Sequence, residues 1–253
     1  MPVSKNVNAS RIIKFGKKPA KRDARNLKLS AILKAPAKLP PEYDFDVQHR
    51  GVPTPMFGND VHGDCVIAGR AHQTLRFEDA ETSKILNITT NDVLKEWHAE
   101  NGDTEEGLNV LDSLKLWRTK GWLAAKKRYK IKAFAEINRK VHDEVRSTVF
   151  SDIGVGLGLS LPDSAITEFH AGKPWADTSG PAKQENGHYV YVPGYTISGP
   201  VCVTWGRKQQ MSWAFFDKYC DEAYAVIDAI DSTKRKQFFD GMKVKSFLEK
   251  LKK

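Results

Sequence analysis

The sequence has few cysteines, no long apolar run and none of the common metal-binding spacings. Its three cysteines are Cys65, Cys202 and Cys220. Their odd number and wide separation argue against a disulfide framework and favour a reduced compartment with at least one free thiol. The absence of 18 consecutive apolar residues argues against a membrane-spanning helix. Without a CxxC or HExxH spacing, we expect no metal site, and nothing in the sequence predicts a cofactor.

The excess positive charge belongs to residues 1–38. The whole chain of 253 residues has a formal net charge of +9, this segment carries +10, and the remainder carries −1. It has few large apolar residues before Leu27. We therefore expect a basic, mostly disordered tail with one short helix near 24–34, either solvated or in contact with nucleic acid, an anionic surface or the protein body. No apolar stretch follows the first charges, so no secretory signal is predicted and the localisation stays open.

Helix signals come first in the chain and strand signals later. Asp64 is a candidate N-cap for a helix over 65–80, and two more helices are predicted near 91–99 and 109–119. Alternating apolar and glycine residues predict a strand over 153–161, with short strands following at 189–192 and 200–204. This order indicates an α+β protein with two lobes, and the cleft between them is the natural place for a site.

Cys65, Asn59 and His188 form a candidate thiol-nucleophile constellation. A helix N-terminus and an adjacent imidazolium lower the pKa of a thiol from about 8.5, which makes Cys65 and His188 a plausible nucleophile and base. The Asn59 amide and the backbone N–H of Cys65 are candidate oxyanion donors. The plainer interpretation is that a lone cysteine is a small buried apolar residue, and we interpret Cys202 and Cys220 in this way.

Five short segments occur in an informative order. They are LPPEYDF at 39–45, GVPTP at 51–55, NDVHGDC at 59–65, GH at 187–188 and TWG at 204–206. In the same order, they resemble the LPxxxDW, GxVTPV, NQGxCGSC, NHAV and NSWG motifs of papain-like cysteine peptidases. No single motif decides the matter, but their collinearity over roughly residues 39–206 makes the resemblance fairly specific.

The resemblance implies an α+β papain-like two-lobe fold, with a helical N-terminal lobe that carries the nucleophile helix and an antiparallel β C-terminal lobe. The catalytic domain would span 39–231, with the lobes at about 39–130 and 131–231. The tail at 1–38 would precede it, and a basic amphipathic helix at 232–253, docked on the body or on a membrane surface, would follow.

The resemblance also implies roles for individual residues. Cys65 falls on the nucleophile, His188 on the catalytic histidine and Asn59 on the amide that stabilises the oxyanion. The expected substrate-binding residues are Gly63, Gly107, Gly187 and Trp205. The predicted function is a cysteine peptidase that cleaves peptide or isopeptide bonds, and its expected partner is a peptide or protein substrate.

Two departures from the family pattern keep other interpretations open. Val203 stands where the family has the asparagine that orients the histidine, so Thr204 or a residue in 207–230 would have to hold the ring. Asp64 places a potential anion beside the thiol. One alternative is therefore a catalytically silent binding or structural protein on this scaffold. Another is a cell-wall amidase or endopeptidase, a class that also uses an Asp-Cys pair and a Gly-His strand but lacks the LPxxxD and TWG segments.

Overall fold

The computed structural model describes residues 13–34, 38–229 and 232–251. The α-helices of these residues are α1 (Phe45–Gln48), α2 (Cys65–Thr82), α3 (Thr90–Asn101), α4 (Val110–Thr119), α5 (His142–Phe150), α6 (Asp163–His170), α7 (Trp213–Tyr219), α8 (Thr233–Phe238) and α9 (Gly241–Lys250). The strands are β1 (Tyr43–Asp44), β2 (Trp122–Ala124), β3 (Lys127–Tyr129), β4 (Ala133–Glu136), β5 (Gly154–Ser160), β6 (Gly187–Thr196), β7 (Gly199–Thr204), β8 (Arg207–Gln210) and β9 (Cys220–Ile227).

The main sheet has the strand order β4-β9-β5-β6-β7-β8, and β1 adds to β6 beside that path. Neighbouring strands in it are antiparallel. Strands β2 and β3 form a separate hairpin between the helical part of the chain and the sheet. Helices α2, α3 and α4 precede most of the sheet, so the mixed α+β architecture predicted from the sequence is confirmed.

Helix α2 is buried on almost every side over its first four turns, so its sequence shows no clear apolar stripe. Its buried Arg70 pairs with Glu96 at 3.0 Å and Glu100 at 2.6 Å, which offsets the cost of taking the guanidinium out of water. Gly69 lets β6 come close, since a Cβ there would lie 2.7 Å from the ring of Tyr189. This contact fixes the start of α2 beside β6.

Residues 13–34 lie on the body of the protein, which differs from the disorder expected for the tail. Leu27, Leu29 and Ile32 are buried, and the short helix expected near 24–34 is a single 3-10 turn at Leu29–Ala31. Each buried aliphatic side chain contributes roughly 1.5–3 kcal/mol, enough to offset ordering of a short segment. The expectations for residues 1–12 and 35–37 fall outside the described residues.

Many basic side chains of this segment are paired with carboxylates of the body. The pairs are Lys17–Asp221, Lys18–Glu106, Lys21–Asp112 and Lys28–Glu136. Most are exposed, where an ion pair contributes at most about 1 kcal/mol. The Lys17 side chain is different because it is fully buried. For these lysines, the anionic partner in this structure is the protein itself.

The C-terminal residues form two helices rather than the single one expected over 232–253. The first ends at Phe238, after which Phe239 is extended, and Asp240 caps the second, because its carboxylate accepts hydrogen bonds from the backbone of Met242 and Lys243. Val244 on α9 is buried, and Phe247 packs against the core. The amphipathic helix therefore docks on the body. Among the described helices, none has the length and apolar character needed to cross a membrane.

Leu29 provides a test of how firmly the N-terminal segment is attached. It is fully buried, whereas Ile197 is 82% exposed. We expect Leu29→Ala to lower the free energy of unfolding by roughly 2–4 kcal/mol, because it leaves a cavity. Urea denaturation measures this loss, and limited proteolysis should cut residues 13–34 sooner. Ile197→Ala is the matched control, and equal effects of the two variants would contradict a docked segment.

Candidate active site

Cys65 is the first residue of α2, and its side chain is 1% exposed. The unpaired backbone N–H groups at a helix N-terminus favour negative charge, which is the local feature a reactive thiol needs. The backbone N–H of Tyr189 donates a hydrogen bond to the sulfur at 3.4 Å. Tyr189 directly follows His188 on β6, so the structure brings the predicted nucleophile and base close together.

His188 is held by β7 and by the turn that follows it. Its Nε2 lies 2.6 Å from Oγ1 of Thr204, and its ring stacks on Trp205 with centroids 4.2 Å apart. Successive residues of a strand face opposite sides, so Thr204 meets the ring and Val203 cannot. Trp205 and Gly206 both have positive φ angles, +44° and +82°, which makes the tight two-residue hairpin turn between β7 and β8.

The thiol and the imidazole are not joined by a hydrogen bond in this state. Within the described residues, Nδ1 of His188 is buried without a hydrogen-bond partner. Burial raises the pKa of Cys65 to about 12 and lowers the pKa of His188 to about 3, and the Lys17 charge adds to the second shift. At neutral pH both groups are therefore uncharged, and the reactive thiolate–imidazolium pair is absent.

The cause of this burial is a stretch of the chain's own N-terminal segment, residues 14–18. On one side of the cleft, the carbonyl of Gly187 accepts hydrogen bonds from the N–H groups of Gly16 and Lys17, at 3.1 and 2.9 Å. On the other side, Leu108 N–H donates to the Gly16 carbonyl and the Leu108 carbonyl accepts from Lys18, both at 2.8 Å. An extended peptide thus bridges the walls directly over the candidate pair.

Residues 14–18 contact all three glycines that are predicted to bind substrate. A Cβ on Gly63 would lie 2.9 Å from the carbonyl oxygen of Phe15, and one on Gly107 would lie 2.0 Å from that of Gly16. A Cβ on Gly187 would lie 2.1 Å from the carbonyl oxygen of Lys17. Side chains at these positions would block the cleft, so the absence of Cβ atoms is what admits a backbone.

Aromatic contacts close the remaining side of the cleft. Phe15 meets His188 and Trp205 edge to face, with centroid distances of 6.0 and 5.9 Å. The indole N–H of Trp205 donates to the carbonyl of Lys14 at 3.3 Å. Trp205, the fourth predicted substrate-binding residue, therefore also contacts the segment.

Asn59 lies in the loop before Cys65 with its amide already engaged. Its Nδ2 donates to the carbonyl of His62 at 3.2 Å, and its own backbone carbonyl accepts from Lys14 at 3.1 Å. Asn59 is therefore next to the nucleophile helix, but in this state its amide stabilises the loop. Its assignment as an oxyanion donor stays a prediction.

Asp64 is a fully buried carboxyl group next to the thiol. Burial raises its pKa to about 8, and the nearby Asn59 amide opposes only part of the shift. At neutral pH the group is mostly protonated, so it places little negative charge beside Cys65. This removes the sequence-based objection that an anion here would oppose thiolate formation.

Sequence reasoning missed two contributors to the cleft. Residues 14–18 fall within the tail that the sequence predicts to be mostly disordered, although Phe15 is the only aromatic residue in 1–38. Asp221 and Glu222, which hold Lys17, were not singled out, although two adjacent acids at the start of an apolar strand are a signal of buried charge. Within the part of the chain that the structure describes, no three His, Cys, Asp or Glu residues cluster as metal ligands.

Comparisons with known structures identify the fold. The chain is similar to xylellain, a cysteine protease from Xylella fastidiosa, with 14% identity and a TM-score of 0.67 over 87% of this chain and 98% of that one. It is also similar to the Carica candamarcensis cysteine protease CMS1MS2 in complex with E-64, with 13% identity and a TM-score of 0.57 over 75% and 99%. A third is the ragweed pollen allergen Amb a 11, a cysteine protease in its proform, with 13% identity and a TM-score of 0.58 over 81% and 71%.

These likenesses show that the chain has the papain-like two-lobe fold, which confirms the fold implied by the collinear motifs. No protein-family model matches the chain, and no curated protein matches it in sequence. At identities of 13–14%, the likeness is one of fold and leaves activity to be argued from the site.

The raised pKa of Asp64 predicts a pH-dependent effect of Asp64→Asn. The folded protein binds this proton more tightly than the unfolded chain, so the contribution of Asp64 to stability is lost as pH rises from about 4 through about 8. We expect urea denaturation to show Asp64→Asn gaining stability relative to the parent between pH 5 and pH 9. Asp60→Asn in the same loop controls for loss of a carboxylate. A parent–variant difference that stays constant with pH would contradict the assignment.

Proposed function

We propose that the chain is a cysteine peptidase that cleaves peptide or isopeptide bonds, with Cys65 as nucleophile and His188 as general base and acid. The observation that supports this most directly is the extended peptide over the pair, held through its backbone by Gly187 and Leu108. A cleft that pairs with backbone amides on both walls binds peptides by their common feature. The candidate nucleophile and base lie under the middle of that peptide.

The proposed reaction uses the groups in a fixed sequence. His188 takes the proton of the Cys65 thiol, and the thiolate attacks the carbonyl carbon of the bound peptide. The backbone N–H of Cys65 and a reoriented Asn59 amide stabilise the resulting oxyanion. His188 then gives its proton to the leaving amine, and water activated by the same ring hydrolyses the thioester.

In this proposal, Thr204 replaces the family's asparagine as the residue that orients the His188 ring. With the proton on Nε2, the imidazole donates to the Thr204 hydroxyl, which leaves the Nδ1 lone pair free to accept the thiol proton. The stacked Trp205 ring restricts the tilt of the imidazole. Thr204 acts on the reaction through His188, so it is a positioning residue.

The structure represents a closed form in this proposal. Substrate can enter only after residues 14–18 leave, and their departure readmits water to Cys65 and His188. Solvation moves the pKa of the thiol downward and that of the imidazole upward, which favours the ion pair. Occupancy of the cleft therefore controls both access and ionisation.

Phe15→Ala in the full chain tests the activity, because it removes the ring that covers His188. We expect modification of Cys65 by a thiol-directed peptide electrophile to become faster by about tenfold, and peptide hydrolysis to appear. Adding Cys65→Ala should abolish both, since Cys202 and Cys220 are buried. Mass spectrometry identifies the modified cysteine. Hydrolysis that persists without Cys65 would remove the assignment.

Thr204→Val in the same Phe15→Ala background tests the positioning role. We expect kcat to fall by roughly 10- to 100-fold with KM little changed, because the base is misoriented while peptide contacts remain. Thr204→Ser, which keeps the hydroxyl, should restore most of the rate. Steady-state kinetics and a melting curve for each variant separate this from unfolding, and equal losses for Val and Ser would contradict it.

A second candidate function is a catalytically silent peptide-binding protein. The unpartnered Nδ1 of His188 and the occupied cleft favour it, since Cys65 and His188 share no hydrogen bond and the peptide site is filled. This candidate predicts that Phe15→Ala binds peptides but neither hydrolyses them nor reacts faster with electrophiles. No described contact specifically favours the third interpretation, a cell-wall amidase or endopeptidase.

A further inference from the structure

Lys17 fills a buried acidic pocket at one end of the cleft. Its side chain is 0% exposed, and its Nζ lies 2.9 Å from Oδ2 of Asp221 and 3.6 Å from Oε1 of Glu222. The ammonium group also donates to the carbonyl of Lys18 at 3.2 Å. Lysine is almost never fully buried unless it is paired, so this is a specific interaction rather than packing of a surface chain.

A β-bulge in β9 directs the carboxylates of Asp221 and Glu222 to the same pocket. Gly158 pairs with Glu222 and Leu159 pairs with Cys220, so Asp221 is an extra residue without a partner on β5. In a regular strand, adjacent side chains point to opposite faces, and a bulge of this kind re-aims one of them. The hydroxyl of Ser160 donates to Asp221 at 2.7 Å and fixes that carboxylate towards Lys17.

Gly158 makes the room for the lysine stem. A Cβ at this position would lie 2.5 Å from Cγ of Glu222 and 2.8 Å from Cδ of Lys17. Within the described residues, Oδ1 of Asp221 and both oxygens of Glu222 have no hydrogen-bond partner at full hydrogen-bonding geometry. The carboxylate oxygens of the pocket are thus only partly engaged by the ammonium group.

We propose that this pocket, formed by Gly158, Ser160, Asp221 and Glu222, is a specificity site for basic side chains, so that the peptides recognised by the cleft carry lysine or arginine at the position that Lys17 now occupies. This inference rests on the proposed function for its substrate part. Burial and the neighbouring Asp221 raise the pKa of Glu222 to about 7, and a cation between the two carboxylates opposes this shift, so a basic side chain is favoured over a neutral or acidic one. The backbone contacts with Gly187 and Leu108 bind any peptide, and the pocket selects among them.

Lys18 shows that the pocket, rather than general charge attraction, selects the residue. It is adjacent in sequence and carries the same charge, but its ion pair with Glu106 lies at the surface with side chains 46% and 70% exposed. Such a pair adds little to affinity. Lys17 and Lys18 therefore form a matched comparison, because only the side chain of Lys17 occupies the acidic pocket.

The first experiment measures recognition without turnover, in the full chain carrying Cys65→Ala. Hydrogen–deuterium exchange of the Gly16 and Lys17 amides reports opening of the cleft, because both donate to Gly187. We expect Lys17→Met, which keeps the stem and removes the charge, to accelerate exchange by at least about tenfold. Lys17→Arg and Lys18→Ala should stay close to the parent. Unchanged protection in Lys17→Met would overturn the proposal.

The acidic side of the pocket is tested in the same assay. Glu222→Gln and Asp221→Asn should each accelerate exchange of residues 14–18, and melting curves show whether the variant stays folded. If a melting curve shows that one variant unfolds, the other still tests the pocket. If both folded variants protect residues 14–18 from hydrogen exchange as well as the parent does, the result would contradict a pocket that recognises charge.

The second experiment addresses substrate choice in the full chain with Lys17→Ala and Cys65 intact. Fluorogenic peptide libraries that vary one position at a time are expected to be cleaved at least about tenfold faster with lysine or arginine than with leucine or glutamate at one position. Glu222→Gln should reduce this preference. Cleavage that prefers leucine would overturn the pocket assignment and leave the peptidase proposal standing. Absence of all cleavage, with the exchange results as expected, would overturn the peptidase proposal alone.

Discussion

The backbone of residues 14–18 joins the two walls of the cleft, and the state of every other group at the site follows from this contact. Gly187 on β6 and Leu108, two residues before α4, each pair with it, so residues 14–18 are held from both lobes. Because they exclude water, the thiol of Cys65 and the ring of His188 are both neutral. Access to the candidate pair and its state of charge are therefore governed by one peptide–peptide interaction.

The collinear motifs were sufficient to predict the fold, and they named candidate site residues that lie close together in the structure. The Cys65 helix, the His188 strand and the glycines at 63, 107 and 187 all face the cleft, because each motif combines a local backbone signal with a chemical one. The closed state could not be predicted in this way. Residues 14–18 have no secondary-structure period, and their backbone–backbone hydrogen bonds are made with residues about 45 to 170 positions away.

The partners of the charged residues were also predicted only in part from the sequence. The basic composition of residues 1–38 left nucleic acid, an anionic surface and the protein body open as contacts, and the structure pairs four of its lysines with the body. The bulge that turns Asp221 towards Lys17 depends on the register of β9 against β5, which no local pattern in either strand specifies. Val203, at the position of the family's asparagine, is a similar case. The adjacent Thr204 contacts His188 because it lies on the face of β7 turned towards the ring, which the sequence alone does not specify.

The separation between Lys17 and Asp221 along the chain, 204 residues, has a consequence for synthesis. Residues 14–18 leave the ribosome before the bulged strand that receives Lys17. The buried ion pair of Lys17 therefore cannot form until β9 has joined β5. The cover over the cleft is thus completed only after this part of the sheet.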